Sequence, residues 1–178
     1  NTKPLEAFAS DAALVMNYIY NPRVSTEPLT SYKSLFLSAV PQELQKAFRS
    51  SPEALRQWCV RSITIDEANN PLSYPIEPLG VWRTRRADRH SLGIFFVSLA
   101  RTMGWPARID GVTGKVQYYE GKAWHDVTFE ASAHKATAQQ GTLRLSYKDN
   151  GIIDNPKYYY QFTLSKFGKD GSLDLLSY

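Results

Sequence analysis

Arg89-His90-Ser91 and His125-Asp126 are the two places where this chain of 178 residues sets hydroxyl, imidazole and carboxylate groups close together. Those three groups can serve as a nucleophile, its base and the residue that orients the base. The spacing works against both sets. Residues 89–91 read as the first turn of a helix, where adjacent side chains do not face each other, so His90 is badly placed to take a proton from Ser91. His125 and Asp126 follow Trp124 on a strand, where neighbours point to opposite faces. Ser91, His90 and Asp126 therefore stand only as a fallback catalytic set. Cys59 is the sole cysteine and sits in the apolar helical stretch EALRQWCVRSI. Free cysteine is among the most buried residue types, so a core role is expected. The third histidine, His134, lies in the loop-like run ASAHKATAQQG. Three histidines without Cys, His or carboxylate at ligand spacing give no zinc signature, and no glycine-rich phosphate loop is present. Neither a metal nor another cofactor is expected.

The elements that must position these groups change character along the chain. PLEAFASDAALVMNYIY (4–20) carries Leu5, Phe8, Ala12, Leu14, Val15 and Ile19 at roughly helical spacing and predicts a helix ended by Asn21-Pro22. SYKSLFLSAVPQELQKAF predicts one or two short helices interrupted at Pro41. SSPEALRQWCVRSI predicts another, with Ser50 and Glu53 at capping-box spacing and Pro52 in its first turn. Residues 64–86, rich in Pro and Asn, show little periodicity and read as a long loop of the kind that wraps a site. From Leu92 to Met103 the chain is apolar on nearly all sides, which predicts a helix buried all round. Asp88 is a suitable N-cap for it, Gly104 suits the left-handed position after its end, and Pro106 prevents continuation. Beyond residue 107, VQYYEG, AWHDVTFE, TLRLSYKD, YYYQFTLSKF and SLDLLSY predict strands, with hairpin turns at Gly121-Lys122 and Lys169-Asp170-Gly171. Helices followed by antiparallel strands make an α+β domain over 1–178, helical to about 104 and β from about 105. Its N-terminal helices should include a buried central helix packed on an antiparallel β-sheet of four or more strands.

The run IFFVSLARTMGWPARI resembles the central helix and following strand of the transglutaminase-like superfamily, a branch of the papain-like cysteine protease fold. Arg101, Gly104, Pro106, Ala107 and Arg108 fall at that family's spacing. YYEGKAWHDVTFE is similar to its later strand pair, with a turn glycine and a tryptophan. Residues 52–130 follow its order of helix, variable loop, central helix and strands. The resemblance implies a catalytic Cys at the start of the central helix, a His on a following strand as its base, and an Asp or Asn orienting the His. Counting back from Arg101 without a gap puts the Cys position at Arg89. The His position falls near Val112, and no His lies between 91 and 124. The Asp position falls close to Asp126. Nucleophile and base are both missing, so the resemblance implies a degenerate member that has kept the fold and lost the chemistry.

A ligand cleft in such a domain would draw on Asp88, Arg89 and His90 at the helix start and on Trp124, His125 and Asp126 from the strand. Arg89 sets a cation at the positive end of the helix dipole, which costs about 0.3–1 kcal/mol when unscreened. It predicts a compensating carboxylate, Asp88 or Asp126, or an anionic group on a ligand. Tyr118, Tyr119, Trp124 and Phe129, with Tyr158, Tyr159, Tyr160 and Phe162, offer rings that can stack on sugars or grip peptides.

Composition narrows the classes further. The chain is 43% apolar and 13% aromatic, which excludes a disordered segment. Its net charge of +4 comes from 21 basic and 17 acidic residues spread along the chain. Only Arg83, Arg85, Arg86 and Arg89 approach a basic run, so nucleic acid is not an expected partner. The single cysteine allows no internal disulfide, and no stretch approaches the about 20 apolar residues of a membrane span. The start at Asn1 without Met and the ending Leu175-Leu176-Ser177-Tyr178 suggest a segment of a longer bacterial protein, exported to the periplasm or cell surface, whose other domains are partners. The expected function is a non-catalytic binding or scaffolding module for a peptide or glycan. The alternative is a hydrolase or acyltransferase of the same superfamily with a relocated nucleophile.

Overall fold

The computed structural model describes residues 3–72, 74–130, 144–148, 151, 156–157, 161–167 and 173–175. By contact the chain divides into two compact units, Asn1–Asp110 with Gly114–Ala131, and Gly111–Thr113 with Ser132–Tyr178. Helix and sheet are mixed, as an α+β reading requires.

The first unit opens with α1 (Lys3–Phe8) and α2 (Ala12–Val15), the latter widening into a π-type turn at Met16–Tyr20. The single helix expected over 4–20 is therefore split. Asp11 is the cause: its carboxylate accepts the Leu14 amide at 2.9 Å and starts a new helix in competition with the old one. α3 (Tyr32–Ala39) and α4 (Gln42–Ser50) are separated at Pro41, as their sequence indicates. α5 (Pro52–Ser62) is capped by Ser51, which accepts the Glu53 amide at 3.1 Å. Ser50, the expected cap, is still inside α4, where its hydroxyl donates to the Ala47 carbonyl at 2.7 Å. Glu53 clasps Arg56 at 2.7 Å and closes no capping box.

The stretch expected to be a loop over 64–86 holds three elements. β1 (Thr64–Ile65) pairs in parallel with β2 (Arg86–Ala87), and α6 (Pro78–Thr84) lies between them. Pro78 fits the first helical turn, and Leu79, Val81 and Trp82 are buried. At 7 residues α6 is too short to show a period, and its stability comes from what it packs on.

α7 (Arg89–Met103) runs through the middle of this unit. Asp88 caps its start, Gly104 at φ 96° ends it, and the Trp105 amide returns to the Ala100 carbonyl at 3.0 Å. Its apolar sides meet different layers. Phe95 packs edge-on against Phe36 of α3 and against Trp58 of α5. Another side faces the sheet β3 (Ala107–Ile109), β4 (Val116–Glu120) and β5 (Ala123–Val127). Gly93 is what lets the sheet come close, because a Cβ there would stand 2.8 Å from Val116 Cγ2. The strands are antiparallel, with Arg108 opposite Gln117 and Gln117 opposite Asp126. Gly121 and Lys122, both at positive φ, make the two-residue turn the sequence indicates.

Among the described residues the sheet on α7 has three strands, not four or more. Residues 144–148, inside the expected strand TLRLSYKD, are irregular and exposed. Alternation of Leu145 and Tyr147 alone makes no strand, because β-propensity is expressed where one face is covered. In the second unit, β6 (Ser165–Phe167) pairs antiparallel with β7 (Leu173–Leu175). The expected turn 169–171, His134, and Tyr158, Tyr159 and Tyr160 lie outside the described residues.

Candidate functional site

The start of α7 is a closed polar knot. Asp88 is 2% exposed. Its Oδ1 accepts the Ser91 amide at 2.9 Å, and its Oδ2 accepts the Ser91 hydroxyl at 2.6 Å and the Asn70 side-chain amide at 2.7 Å. Burial alone would raise this carboxyl. The hydrogen bonds from Ser91 and Asn70 together outweigh burial and hold it below the usual carboxylate range. Ser91 is 0% exposed, and its oxygen also accepts the Ile76 amide at 3.0 Å. Asn70 completes the knot by exchanging hydrogen bonds with the Tyr74 backbone. The Ser91 proton thus points at a carboxylate, its oxygen is occupied, and no solvent reaches it. A hydroxyl held this way fastens the loop over α7 and has no open side for attack on a substrate.

Arg89 faces outward, with a side chain 62% exposed. The carboxylate beside it is Glu67, and neither Asp88 nor Asp126. Glu67 Oε1 accepts the Arg89 backbone amide at 3.1 Å and stands 3.7 Å from the guanidinium. One carboxylate therefore answers both the open helix end and the cation set beside it. His90 turns to a third element, with its Nε2 3.4 Å from the Ser25 hydroxyl. Ser25 is placed by Glu27, whose buried carboxylate accepts the Val24 and Ser25 amides at 2.7 Å each.

The strand candidates lie elsewhere. Trp124 packs against Tyr18 and Tyr119 with centroids 4.9 and 5.3 Å away, and the Arg108 guanidinium lies 4.1 Å over its ring. His125 places Nε2 3.0 Å from the Glu120 carbonyl and stacks on Tyr118. Asp126 accepts from Gln117 at 2.8 Å and from Lys115, and these bonds hold its carboxyl below the usual range. Arg108 Nε donates to Gln117 at 2.9 Å, so a side-chain ladder crosses all three strands. None of these partners is shared with the helix start. Asp88, Arg89 and His90 turn to Ser91, Glu67 and Ser25, and Trp124, His125 and Asp126 to Tyr18, Tyr118 and Gln117. Ser91, His90 and Asp126 are each bound to a different partner.

No family model, no curated protein and no solved structure matches the chain. Its chemistry must be read from the groups themselves. Among the described residues no cluster of His, Cys, Asp and Glu could hold a metal ion, and no helix is long and apolar enough to cross a membrane.

Cys59 is fully buried in α5, and burial drives its thiol well above the ordinary range despite the nearby positive charge of Arg85 and Arg56. A buried thiol held protonated is a poor nucleophile. A disulfide reagent should label Cys59 only at the rate at which the protein opens, and at once in denaturant. Fast stoichiometric labelling of the native protein would show that the thiol is reachable.

The partners Glu67, Asn70, Ile76, Ser25 and Glu27 escaped the sequence reading. Each lies far along the chain from the group it holds or has no motif of its own. The one local signal was Asp88, at capping distance from Ser91.

Proposed function

We propose that the first unit is a non-catalytic transglutaminase-like domain acting as a binding or scaffolding module for a peptide or glycan. One observation carries this reading: at the helix start that the resemblance assigns to the nucleophile, Arg89 points out to Glu67 while Asp88 and Ser91 are buried in each other's hydrogen bonds. Without a thiolate or a free hydroxyl there, acyl transfer has no first step. The face of the sheet supports binding instead. Trp124 and Tyr18 are partly exposed beside the Arg108–Gln117–Asp126 ladder, an aromatic surface next to oriented donors and acceptors.

A second reading has one observation in its favour. Ser25 and His90 form a hydroxyl–imidazole pair at 3.4 Å, both partly exposed, which is what a relocated serine hydrolase would need. The two readings separate in one set of assays. The protein is offered p-nitrophenyl esters, peptide amides and a fluorophosphonate probe, and is screened in parallel against panels of glycans and peptides. No turnover and no labelling are expected, with at least one ligand whose binding is weakened by Trp124→Ala. Ester turnover lost in both Ser25→Ala and His90→Ala, with the fold intact, would establish the hydrolase.

A further inference from the structure

Arg85 combines three unfavourable features. It ends α6 at φ 56° and ψ 27°, in the left-handed region that suits glycine and strains other residues. Its Nη1 is buried with no hydrogen-bond partner. Finally, the ion pairs among the described residues pass it by: Arg86 takes Asp66, Arg89 takes Glu67 and Arg56 takes Glu53. A strained residue whose charge has no carboxylate partner among the described residues is the kind of outlier from which a functional role can be argued. We propose that Arg85 anchors an oxyanion site, taking a carboxylate or phosphate group of a ligand at the edge of the Trp58–Trp82 pair.

The geometry shows how. The guanidinium carbon lies 3.8 Å over the Trp82 ring and 4.7 Å from that of Trp58, and the two rings stack at 5.1 Å with 22° between their planes. Stacking occupies the flat side of the guanidinium and orients it, so a hydrogen-bonding partner must come to its N–H edge. That edge is a fork matched to two oxygens in a plane, which a lysine does not offer. Arg85 and Trp58 are both partly exposed, while Nη1 itself is buried, so an incoming group meets the exposed part of the side chain and must open the edge to reach Nη1. Arg83, two residues earlier, and Arg61, three residues beyond Trp58 on α5, are exposed and make no ion pair among the described residues. Partial burial also lowers the Arg85 pKa, with no carboxylate nearby to offset it. An arriving oxyanion supplies the missing countercharge. The site stands on different residues from the non-catalytic reading and does not depend on it.

The tryptophans give the readout. Sodium phosphate and sodium acetate are titrated separately at pH 7 against sodium chloride of equal ionic strength, following tryptophan emission. A saturable change with phosphate, acetate or both is expected, and none with chloride. A response to acetate alone assigns the site to carboxylates, and one to phosphate alone assigns it to phosphate groups. Arg85→Gly, whose backbone suits φ 56°, should fold and bind at least about ten-fold more weakly, while Arg83→Gln stays within about two-fold of wild type. Arg85→Lys keeps the charge, loses the fork and should show the same loss, which covers the case of a glycine variant that does not fold. No saturable response to either salt would overturn the site. So would undiminished binding by Arg85→Lys, or an equal loss in Arg83→Gln, which would mean a diffuse basic surface.

Discussion

Arg101→Ala should lower the unfolding free energy by about 3–5 kcal/mol, because three backbone carbonyls lose a charged donor at about 1–3 kcal/mol each. Arg101 is 4% exposed near the end of α7. Its Nε donates to the Ala107 carbonyl at 2.9 Å, and its Nη1 donates to the carbonyls of Asn21 and Arg23 at 2.8 Å each. One side chain thus joins the central helix to the first strand of the sheet and to the loop that carries Ser25. Desolvation works against the charge and lowers the Arg101 pKa, which Tyr32 first and Glu27 after it partly oppose. Alanine would leave three carbonyls without their donor. Arg101→Met fills most of the volume and isolates the polar loss, so it should also be strongly destabilised. Urea unfolding of the three proteins makes the comparison. A loss below about 1 kcal/mol in both variants would mean that water replaces the guanidinium at little cost.

The same residue shows what the sequence could and could not reveal. Arg101 was visible as part of a spaced pattern with Gly104, Pro106 and Ala107, and that pattern located the helix end and the strand after it. Its partners were invisible, because they are backbone carbonyls, and carbonyls carry no residue identity. α7 was legible for a physical reason: fifteen residues between an aspartate cap and a left-handed glycine, apolar on every side, have few other solutions. The Gly121-Lys122 turn was legible because two consecutive positive φ angles demand particular residues. α6 was not, since its helicity depends on the surface beneath Leu79, Val81 and Trp82. Nor were Glu67 and Ser25, which meet Arg89 and His90 only after the chain has folded. The same limit affected the candidate site. Types and spacing could show that Ser91 and His90 do not face each other, but not that Asp88 closes over Ser91.

Burial also decides which aromatic residues matter for stability, and Phe96 tests this most directly. It is 0% exposed at the middle of α7, and its ring meets Phe129 edge-on with centroids 5.8 Å apart. Phe96→Ala removes that contact and leaves a cavity between well-packed neighbours, which costs about 3–5 kcal/mol. For a chain of this size that corresponds to a fall of about 6–20 °C in the melting temperature of the first unit. Phe96→Leu retains most of the volume and should cost about 1.5 kcal/mol or less. Phe162→Ala is the contrast. The residue lies in the second unit and is 37% exposed, and the loss should stay within about 0.5 kcal/mol. Calorimetry or denaturant unfolding ranks the three variants. If Phe96→Ala melted with the wild type, α7 would not be the packed centre described above. The helix has a second reporter in Cys59, which belongs to the same core. Since the Phe96→Ala core opens more often, its thiol should be labelled faster than that of the wild type, by a factor set by the lost stability wherever reclosing outpaces the reagent. Lost stability without faster labelling would mean that α5 opens independently of α7.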